Sequence, residues 1–409
     1  MGGRAAALAG ALIAAASVRP SFAEDWPAWR GPARNGISAE TAWTDRWPAE
    51  GPKVAWRAEV GTGFSSFAVA GGRAYTLGHA DGKDILHCFE AATGRVLWTH
   101  SWPSDLGDRF FEGGPTSTPT VDGDRVYALG RWGDLFCLEA AGGRLVWSAN
   151  IARDPGLPPP GWGFSGSPRV CGELLVLNAG EGGLALEKAT GRVVWRSAAK
   201  EAGYSTPLPF RRGEEALVWL STGKAYLAAD LRTGKELWRI RWVTQYGVNA
   251  ADPVVEGDRV FLSSGYGRGG ALLRLGTGAP ETVWESKVLR TQKNPAVLLA
   301  GHLYGIDGDA GQAEAGLKCV EFDTGRERWS WPEAGSGSVT AAGDRLIVLT
   351  EKGELVVGPA SPEGFRPTAR ARVLEGRCWT VPVLSGGRIY LRNAAGDAVC
   401  LDVRSGREP

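Results

Sequence analysis

The residues of this sequence that could act as nucleophiles or metal ligands are few and widely spaced. Its four histidines are His79, His87, His100 and His302, and no two of them have the spacing of a metal site. An isolated histidine is more often a surface or hydrogen-bonded residue than a ligand. No Gly-x-Ser-x-Gly nucleophile elbow occurs, and the segment 335–338 (Gly-Ser-Gly-Ser) is better explained as a turn before a strand. Hydrolase and metal chemistry therefore have little support in the sequence.

Six cysteines could form disulfides in an oxidising compartment. Four of them stand six residues before a glycine, at a position where other copies of the same pattern have alanine: Cys88, Cys137, Cys319 and Cys400. We expect these four to be small buried packing residues with free thiols. Equivalent positions on adjacent repeats should lie beyond the ~7 Å Cα limit of a disulfide. The state of Cys171 and Cys378 stays open.

A second group of residues could bind a ligand. Polar and aromatic residues stand directly before short apolar segments, and two long linkers, 101–115 and 152–161, lie at the same end of the repeats. The candidates for ligand contact are Arg109, Trp162, Asn249, Asp252, Lys293 and Trp379. Amides, hydroxyls, one cation and one acid beside aromatic surface are typical of a small-molecule or peptide site. The alternative is that these polar residues only solvate a channel.

At such a wet site, side chains make few fully buried contacts. Replacing Asp252 and Lys293 together by alanine is therefore expected to change the free energy of unfolding by less than about 1 kcal/mol.

One recurring segment positions these residues. Its clear copies are 88–98, 137–147, 185–195, 228–238 and 319–329. In each copy a small residue stands ten positions before a tryptophan, an acid follows that small residue by two, and a glycine precedes the tryptophan by four. A weaker copy ends at Trp284, with Gly278 displaced by two residues. A period of about 40 to 50 residues is typical of propellers and solenoids.

Each period predicts four short strands, and the outermost strand carries the tryptophan. Gly-centred turns such as Val121-Asp-Gly-Asp-Arg-Val126 are hairpin signals. The count of outer strands predicts an all-β fold, an eight-bladed β-propeller with four-stranded blades. The segment 53–58 has no blade of its own, so we expect it to pair with the C-terminal strands and close the ring. The outer-strand tryptophans are Trp56, Trp98, Trp147, Trp195, Trp238, Trp284 and Trp329, and the segment 369–374 fills the eighth place without one.

The pattern Ala/Cys-x-Asp/Glu-x-x-Thr-Gly-Lys/Arg-x-x-Trp resembles the tryptophan-docking repeat of pyrroloquinoline-quinone (PQQ) type quinoprotein propellers. The resemblance implies that each tryptophan packs over the small residue of a neighbouring blade and that Thr-Gly forms the outer turn. The opening segment 26–38, which begins Trp-Pro-Ala-Trp-Arg-Gly-Pro, also resembles exported PQQ-like repeat proteins similar to the outer-membrane assembly lipoprotein BamB. This resemblance implies the fold, whereas function must be argued from the site.

The quinoprotein resemblance also implies PQQ with calcium, a vicinal cysteine pair against the quinone and a carboxylate base. No two cysteines are adjacent in the sequence, and no Cys-x-x-Cys-His haem motif occurs. The sequence therefore assigns no cofactor and no catalytic residue. It favours a non-catalytic binding or scaffold propeller over the alternative, a PQQ-dependent or degenerate quinoprotein oxidoreductase acting on alcohols or sugars.

The N-terminus has the layout of a secretory signal. Arg4 supplies positive charge, residues 5–18 are apolar, and Ser21-Phe-Ala23 offers small residues for cleavage before Glu24. We expect residues 1–23 to be a signal peptide, residues 24–52 an extension packed on the propeller, and residues 53–409 the PQQ-like propeller. The apolar run is short of the roughly 20 residues that span a bilayer. No cysteine directly follows the cleavage site, so a periplasmic or extracellular protein without a lipid anchor is expected.

The charge balance limits the class of partner. Lysine and arginine number 46 against 45 aspartate and glutamate, and the basic residues form no run. This balance gives no electrostatic case for a nucleic-acid partner. We expect a monomer without a transmembrane span, whose partner is an envelope protein or a small molecule.

Overall fold

The computed structural model of the chain describes residues 24–405, so the expected signal peptide lies outside the described residues. The described part contains 33 β-strands and one short 3-10 helix, and the strands form eight separate sheets. Seven sheets have four strands and one has five. The prediction of an all-β, eight-bladed propeller with four-stranded blades is confirmed.

The strands follow the repeat order of the sequence. The N-terminal extension holds β1 (Ile37–Ser38), and β2 (Lys53–Glu59) follows it. Blade 1 consists of β3 (Ala68–Ala70), β4 (Arg73–Ala80), β5 (Lys83–Glu90) and β6 (Val96–Pro103). Blade 2 consists of β7 (Thr120–Asp122), β8 (Arg125–Leu129), β9 (Asp134–Glu139) and β10 (Leu145–Asn150). Blade 3 consists of β11 (Arg169–Cys171), β12 (Leu174–Leu177), β13 (Leu184–Glu187) and β14 (Val193–Arg196). Blade 4 consists of β15 (Leu208–Arg212), β16 (Glu215–Ser221), β17 (Ala225–Asp230) and β18 (Glu236–Arg241).

The second half of the ring has the same organisation. Blade 5 consists of β19 (Val254–Glu256), β20 (Arg259–Ser264), β21 (Gly269–Arg274) and β22 (Glu281–Ser286). Blade 6 consists of β23 (Val297–Leu299), β24 (His302–Asp307), β25 (Gly316–Glu321) and β26 (Glu327–Trp331), and the 3-10 helix Pro332–Ala334 follows it. Blades 7 and 8 are β27 (Ser338–Ala342), β28 (Arg345–Leu349), β29 (Glu354–Pro359), β30 (Ala369–Arg372) and β31 (Val383–Ser385), β32 (Arg388–Arg392), β33 (Asp397–Asp402), with β2 as the outer strand of blade 8.

Blade 8 closes the ring with a strand from the beginning of the chain. Strand β2 pairs antiparallel with β33, so that Lys53 lies opposite Asp402 and Trp56 lies opposite Cys400. This pairing joins the two ends of the propeller and leaves no blade without its outer strand. The predicted closure of the ring by the segment 53–58 is confirmed.

The repeated tryptophans join each blade to the next. Six of them donate the indole N–H to a main-chain carbonyl of the following blade at 2.7–3.2 Å: Trp56 to Ala91, Trp98 to Ala140, Trp147 to Lys188, Trp195 to Leu231, Trp284 to Phe322 and Trp329 to Ser361. Five of these rings lie against the motif glycine of the following blade, where a Cβ would come within 2.6–2.7 Å of the ring: Gly94, Gly143, Gly191, Gly234 and Gly325. These glycines also adopt positive φ, so they both form the outer turn and admit the indole.

The small residue of the motif has a different partner from the one that the resemblance implied. Cys88 lies opposite Trp98 of its own blade on one side and opposite Tyr75 on the other. The Tyr75 hydroxyl donates to the Ala140 carbonyl, the same acceptor that Trp98 uses. Each motif cysteine has such a tyrosine opposite it, whereas the motif alanines lie opposite Val176 and Trp219. Each motif cysteine therefore lies on the middle strand of three, with a tyrosine opposite it on one side and the tryptophan of its own blade on the other. All six cysteines are free thiols.

Trp238 is an exception among these tryptophans. Its indole nitrogen is buried and has no hydrogen-bond partner among the described residues. The following blade is the one whose motif glycine is displaced, and a Cβ added to Gly278 would meet no atom within 4 Å. The Arg212 guanidinium covers the Trp238 ring instead, 4.6 Å from its centroid. The displaced glycine of blade 5 thus lies at the junction with Trp238. Within residues 24–405 this is the one tryptophan-containing junction without an indole hydrogen bond to the following blade.

The N-terminal extension makes a circuit of the inner strands. Parallel pairing of β1 with β27 adds the fifth strand to blade 7. The other contacts in chain order are Trp26 with Val69 of blade 1, Pro27 with Val121 of blade 2, Trp29 with Arg169 of blade 3, Arg30 with Pro295 and Ala296 before blade 6, and Glu40 with Gly386 and Gly387 of blade 8. Because first strands line the axis of the ring, residues 24–40 fill one end of the central channel. We call residues 24–40 the plug.

Arg30 anchors the plug by its guanidinium. This group is buried and donates to the carbonyls of Arg34, Asn35, Pro295 and Ala296. Burial lowers the pKa of Arg30 to about 10, partly offset by the negative charge of Asp252. Four carbonyl acceptors satisfy the buried donors and make the segment part of the folded core.

Candidate functional site

The segments that precede the first strands meet around a cavity at the other end of the channel. The cavity has a volume of about 300 Å³, which is at the small end of the range for ligand sites. Its aromatic lining comes from the blade junctions, the plug and one turn inside blade 5: Trp29, Phe64, Phe110, Phe111, Trp162, Tyr204, Tyr266 and Trp379. Its polar lining is Thr116, Ser165, Ser167, Thr206, Asp252, Gln292, Lys293, Asn294 and Thr380.

The linker between blades 1 and 2 forms one wall of the cavity. Phe110 and Phe111 of this linker lie 4.6 and 5.7 Å from the Trp162 ring, measured between centroids. Buried Arg131 supports the linker from below, because its guanidinium lies 4.7 Å from the Phe111 ring and donates to the Gly114 carbonyl. The aromatic wall is therefore held by a cation that does not itself line the cavity.

Trp379 forms the opposite wall and has two cations near its ring. The Lys293 ammonium lies 4.0 Å from the ring centroid, and the Arg377 guanidinium lies 4.6 Å from it. Phe64 stacks on the same indole at 5.2 Å. The indole N–H donates to the Glu351 carboxylate at 3.2 Å, which fixes the ring plane. These contacts hold Trp379 as a rigid surface.

Lys293 is the cation of the cavity. Its ammonium donates to the Ser336 hydroxyl at 2.6 Å and to the Gln292 amide oxygen at 3.1 Å, and both acceptors are neutral. Among the described residues it has no carboxylate within 4 Å. Burial lowers the pKa of Lys293 to about 7, although the negative charges of Glu351 and Asp309 raise it. The amine therefore changes its charge close to neutral pH, and the charged form lacks a counter-ion.

Asp252 lies at the base of the cavity and is committed to the fold. One carboxylate oxygen accepts the Trp29 indole N–H at 2.7 Å, and the other accepts the main-chain N–H of Thr206 at 2.7 Å. Burial raises the pKa of Asp252, while Arg30 and these hydrogen bonds lower it. With an exposed fraction of 5%, Asp252 is not the solvated group expected at a wet channel mouth. Replacement of Asp252 by alanine would leave the Trp29 indole N–H without this acceptor. The expected change of less than about 1 kcal/mol in the free energy of unfolding, for the joint replacement of Asp252 and Lys293, assumed a solvated Asp252, and that assumption is wrong.

The structure places four of the six candidates in the cavity lining: Trp162, Asp252, Lys293 and Trp379. Asn249 lies outside the lining, fully buried, with its amide donating to the carbonyls of Thr222 and Trp242. Arg109 is also outside the lining, at an exposed position beside Phe110. Asn249 thus has structural contacts between blades, and Arg109 belongs to the rim.

Several residues that line or support the cavity carried no usable sequence signal. Trp29 comes from the extension and Tyr266 from a turn inside blade 5, and neither precedes a first strand. Glu351, which orients Trp379, lies in a turn of blade 7. Only the aromatic and acidic composition of these turns could have suggested them.

These features define a class of protein, an eight-bladed propeller with tryptophan-joined blades, one plugged channel end and an aromatic cavity at the other. The chain belongs to the family described as outer membrane protein assembly factor BamB, whose model matches residues 38–128, 82–330 and 313–408.

Solved structures share the fold at low sequence identity. BamB from Moraxella catarrhalis is 16% identical, with a TM-score of 0.64 over 86% of this chain and 99% of that chain. Quinohemoprotein alcohol dehydrogenase ADHIIG from Pseudomonas putida HK5 is 11% identical, with a TM-score of 0.70 over 94% of this chain and 81% of that chain. The enzyme from Comamonas testosteroni is 14% identical, with a TM-score of 0.68 and the same coverage. At these identities the likeness shows the fold alone.

One curated relative matches part of the chain. The serine/threonine-protein kinase AfsK of Streptomyces coelicolor is 28% identical in an alignment of 270 residues that covers 59% of this chain and 30% of the kinase. The chain therefore spans about a third of the length of that relative. No helix within residues 24–405 has the length and apolar character needed to cross a bilayer.

The cavity residues do not fit the PQQ and calcium that the quinoprotein resemblance implied. Within the described residues no three His, Cys, Asp or Glu side chains group as metal ligands. The carboxylate in the cavity, Asp252, already has each oxygen engaged by a protein donor. A calcium ion prefers six to eight oxygen ligands, several of them carboxylates. The donor set here matches an organic ligand better than a metal–quinone centre.

Proposed function

We propose that this chain is an exported, non-catalytic binding propeller of the cell envelope, and that its ligand is a small aromatic compound with an anionic group. The observation that carries the proposal is the Lys293 ammonium, which lies in an aromatic cavity 4.0 Å from the Trp379 ring without a paired carboxylate among the described residues. The aromatic lining supplies stacking surface, and Lys293 supplies one charge-assisted hydrogen bond. A carboxylate on the ligand would complete this pair.

The sign of the charge supports an anionic ligand. Asp252 is poorly suited to bind a cationic ligand, because each of its oxygens already accepts a protein hydrogen bond and the positive charge of Arg30 acts on it. Arg377 is paired with Glu112, so Lys293 is the cation left for a ligand in the described lining. The acceptors of Lys293, Ser336 and Gln292, are neutral, and a buried charge without an opposite charge costs free energy, part of which an anionic ligand would recover.

Calorimetric titration with a matched ligand pair tests this function. The chain from Glu24 to Pro409 would be titrated with indole-3-acetate and with indole-3-acetamide, which has nearly the same shape and no charge. We expect the acid to bind at least about tenfold more tightly, a difference of about 1.4 kcal/mol. The preference should vanish in Lys293→Met and persist in Lys235→Met, whose lysine is exposed in an outer turn.

The outcomes separate the parts of the proposal. Equal affinity for acid and amide would remove Lys293 as the specificity residue, and no binding of either would reject the aromatic ligand class. In the second case a pull-down from envelope extracts would test for an envelope protein partner.

The alternative function is a quinoprotein oxidoreductase acting on alcohols or sugars. The similar folds of the quinohemoprotein alcohol dehydrogenases are the reason for testing it. The protein would be mixed with PQQ and calcium, then assayed for a bound quinone absorption band and for dye reduction with simple alcohols. A bound band with turnover would replace the binding function by catalysis.

A further inference from the structure

Glu40 is a buried carboxylate at the end of the plug. Its exposed fraction is 4%, and its Oε1 accepts the main-chain N–H of Gly386. Its Oε2 accepts the main-chain N–H of Gly387 at 2.8 Å. Oε1 also accepts a hydrogen bond from the main-chain nitrogen of Glu24 at 3.0 Å. Three main-chain donors therefore converge on one side chain.

No cation balances this carboxylate within the described residues. Every ion pair of residues 24–405 involves another acid: on blade 8, Arg388 donates to the Gly386 carbonyl, and Arg404 is paired with Asp402. A buried charge without an opposite charge is costly even when it is hydrogen-bonded. Main-chain N–H groups supply only partial charges. The site thus lacks one positive charge.

The Glu24 nitrogen is held in place by further contacts. The Glu24 carbonyl accepts the Ser385 hydroxyl at 2.7 Å, and the Glu24 carboxylate accepts the main-chain N–H of Ala39 at 2.6 Å. The Ser38 hydroxyl donates to the same carboxylate at 3.2 Å. Glu24 is also the residue that follows the expected cleavage site.

We propose that cleavage before Glu24 creates the missing cation, and that the new α-ammonium group forms a buried ion pair with Glu40. Hydrolysis of the Ala23–Glu24 peptide bond consumes one water molecule and leaves a carboxylate on Ala23 and an amine on Glu24. An α-amino group is mostly protonated at pH 7. Before cleavage the same nitrogen is a neutral amide, so the pair exists only in the processed chain.

The ion pair makes completion of the plug depend on processing. Trp26, two residues after Glu24, pairs with Val69, Trp29 connects the plug to the cavity base, and Arg30 connects it to the segment before blade 6. The charged groups on the elements around this nitrogen are Glu40, the Glu24 carboxylate, Asp25, which accepts the Gly71 N–H, and on blade 8 Arg388 and Arg404, of which Arg404 packs on Gly387 and is paired with Asp402. The Glu40 carboxylate, which accepts the hydrogen bond of this nitrogen at 3.0 Å, favours its charged form.

Two chains that differ only at the N-terminus test the pair. One would begin at Glu24, released from a fusion partner without extra residues, and the other would carry Gly-Ser before Glu24. We expect the first to unfold at a higher denaturant concentration, because only it places an ammonium beside Glu40. In Glu40→Gln the two chains should have the same midpoint, and in Glu40→Asp part of the difference should remain.

A chemical measurement avoids dependence on variant stability. The α-amine of the chain beginning at Glu24 should react with an acylating reagent at pH 7 at least about tenfold more slowly than the α-amine of the Gly-Ser chain. Mass spectrometry of the protein exported with its own residues 1–23 should give Glu24 as the first residue. Equal midpoints with Glu40 present, equal acylation rates, or a different first residue would each overturn the proposal.

Discussion

The indole N–H of Trp29 donates to the Asp252 carboxylate at 2.7 Å, and this bond connects the N-terminal extension to the base of the cavity. Trp29 itself lines the cavity, so the extension is part of the site and not only a lead-in to the first blade. Arg169 of blade 3 donates to the Trp29 carbonyl and fixes the same residue from the other side. The floor of the cavity is therefore built by the plug.

Changes at Trp29 should lower stability in two distinguishable steps. Trp29→Phe removes the hydrogen bond to Asp252 and is expected to cost about 1–3 kcal/mol in the free energy of unfolding, since a buried carboxylate loses a donor. Trp29→Ala also removes the ring and should cost about 3 kcal/mol or more. Denaturant unfolding measures both values.

The matched control is Trp47→Phe. Trp47 is half-buried, but its indole N–H donates to the Arg370 carbonyl in a solvent-exposed bond, so loss of that bond, with the ring position kept by phenylalanine, should stay within about 0.5 kcal/mol. Similar costs at Trp29 and Trp47 would show that the plug contributes little to the fold.

The fold could be predicted from the sequence because its information is repeated. Successive copies of a small residue, an acid, a glycine and a tryptophan report the same four-stranded unit, and Trp56 outside any complete blade indicates how the ring closes. The plug has no such repetition. Nothing in the spacing of Arg30 or Glu40 shows that a charged side chain in an extension is buried, because that burial depends on carbonyls and N–H groups in blades far along the chain.

The candidate site was predicted only in part for the same reason. Lys293 and Trp379 precede first strands, so the repeat register places them at the mouth of the channel. Asn249 occupies an equivalent position, yet its side chain turns into the blade junction to satisfy two buried carbonyls. Repeat register fixes where the backbone of a residue lies, whereas local hydrogen-bond demand decides which way its side chain points.

The indole bonds between blades predict unequal effects of the same substitution. Trp195→Phe loses the hydrogen bond to the Leu231 carbonyl, whereas Trp238→Phe removes an indole N–H that has no partner among the described residues. Both rings are similarly buried, so the packing loss should be alike. We expect Trp195→Phe to cost about 1–2 kcal/mol more than Trp238→Phe. Thermal or denaturant unfolding of the two variants gives the difference, and equal losses would contradict the docking bond.

The motif glycines provide a test of close packing. Gly234→Ala places a Cβ 2.6 Å from the Trp195 ring, and Gly213→Ala places one where nothing lies within 4 Å. Both glycines have positive φ, so backbone strain contributes to each variant in the same way. Gly234→Ala should therefore be about 1–3 kcal/mol more destabilising, the range for overpacking. Equilibrium unfolding checks it, and a larger loss at Gly213 would mean that strain alone governs these turns.

Lys293 should give the protein a stability that rises with pH above neutrality. Burial lowers the pKa of this lysine from an ordinary value of 10.5 to about 7, so between these values the unfolded chain binds a proton that the folded chain does not. The free energy of unfolding rises with pH wherever the unfolded state binds more protons than the folded state. Below about pH 7 the amine is charged in both states, and the full cost of burying that charge then lowers the stability of the folded chain. Between about pH 6.5 and pH 9.5 the wild type should gain about 1–2 kcal/mol relative to Lys293→Met, less than the whole shift would give, because Lys293 is only half-buried and solvent screens its charge. Unfolding curves at the two pH values measure this gain, with Lys235→Met as the exposed-lysine control.

The affinity for an aromatic acid should change with pH in the opposite direction. A bound anion stabilises the ammonium form of Lys293, so the affinity should fall as pH rises through 7. A pH-independent difference between wild type and Lys293→Met would show that the amine keeps its charge, and would place Lys293 in contact with solvent.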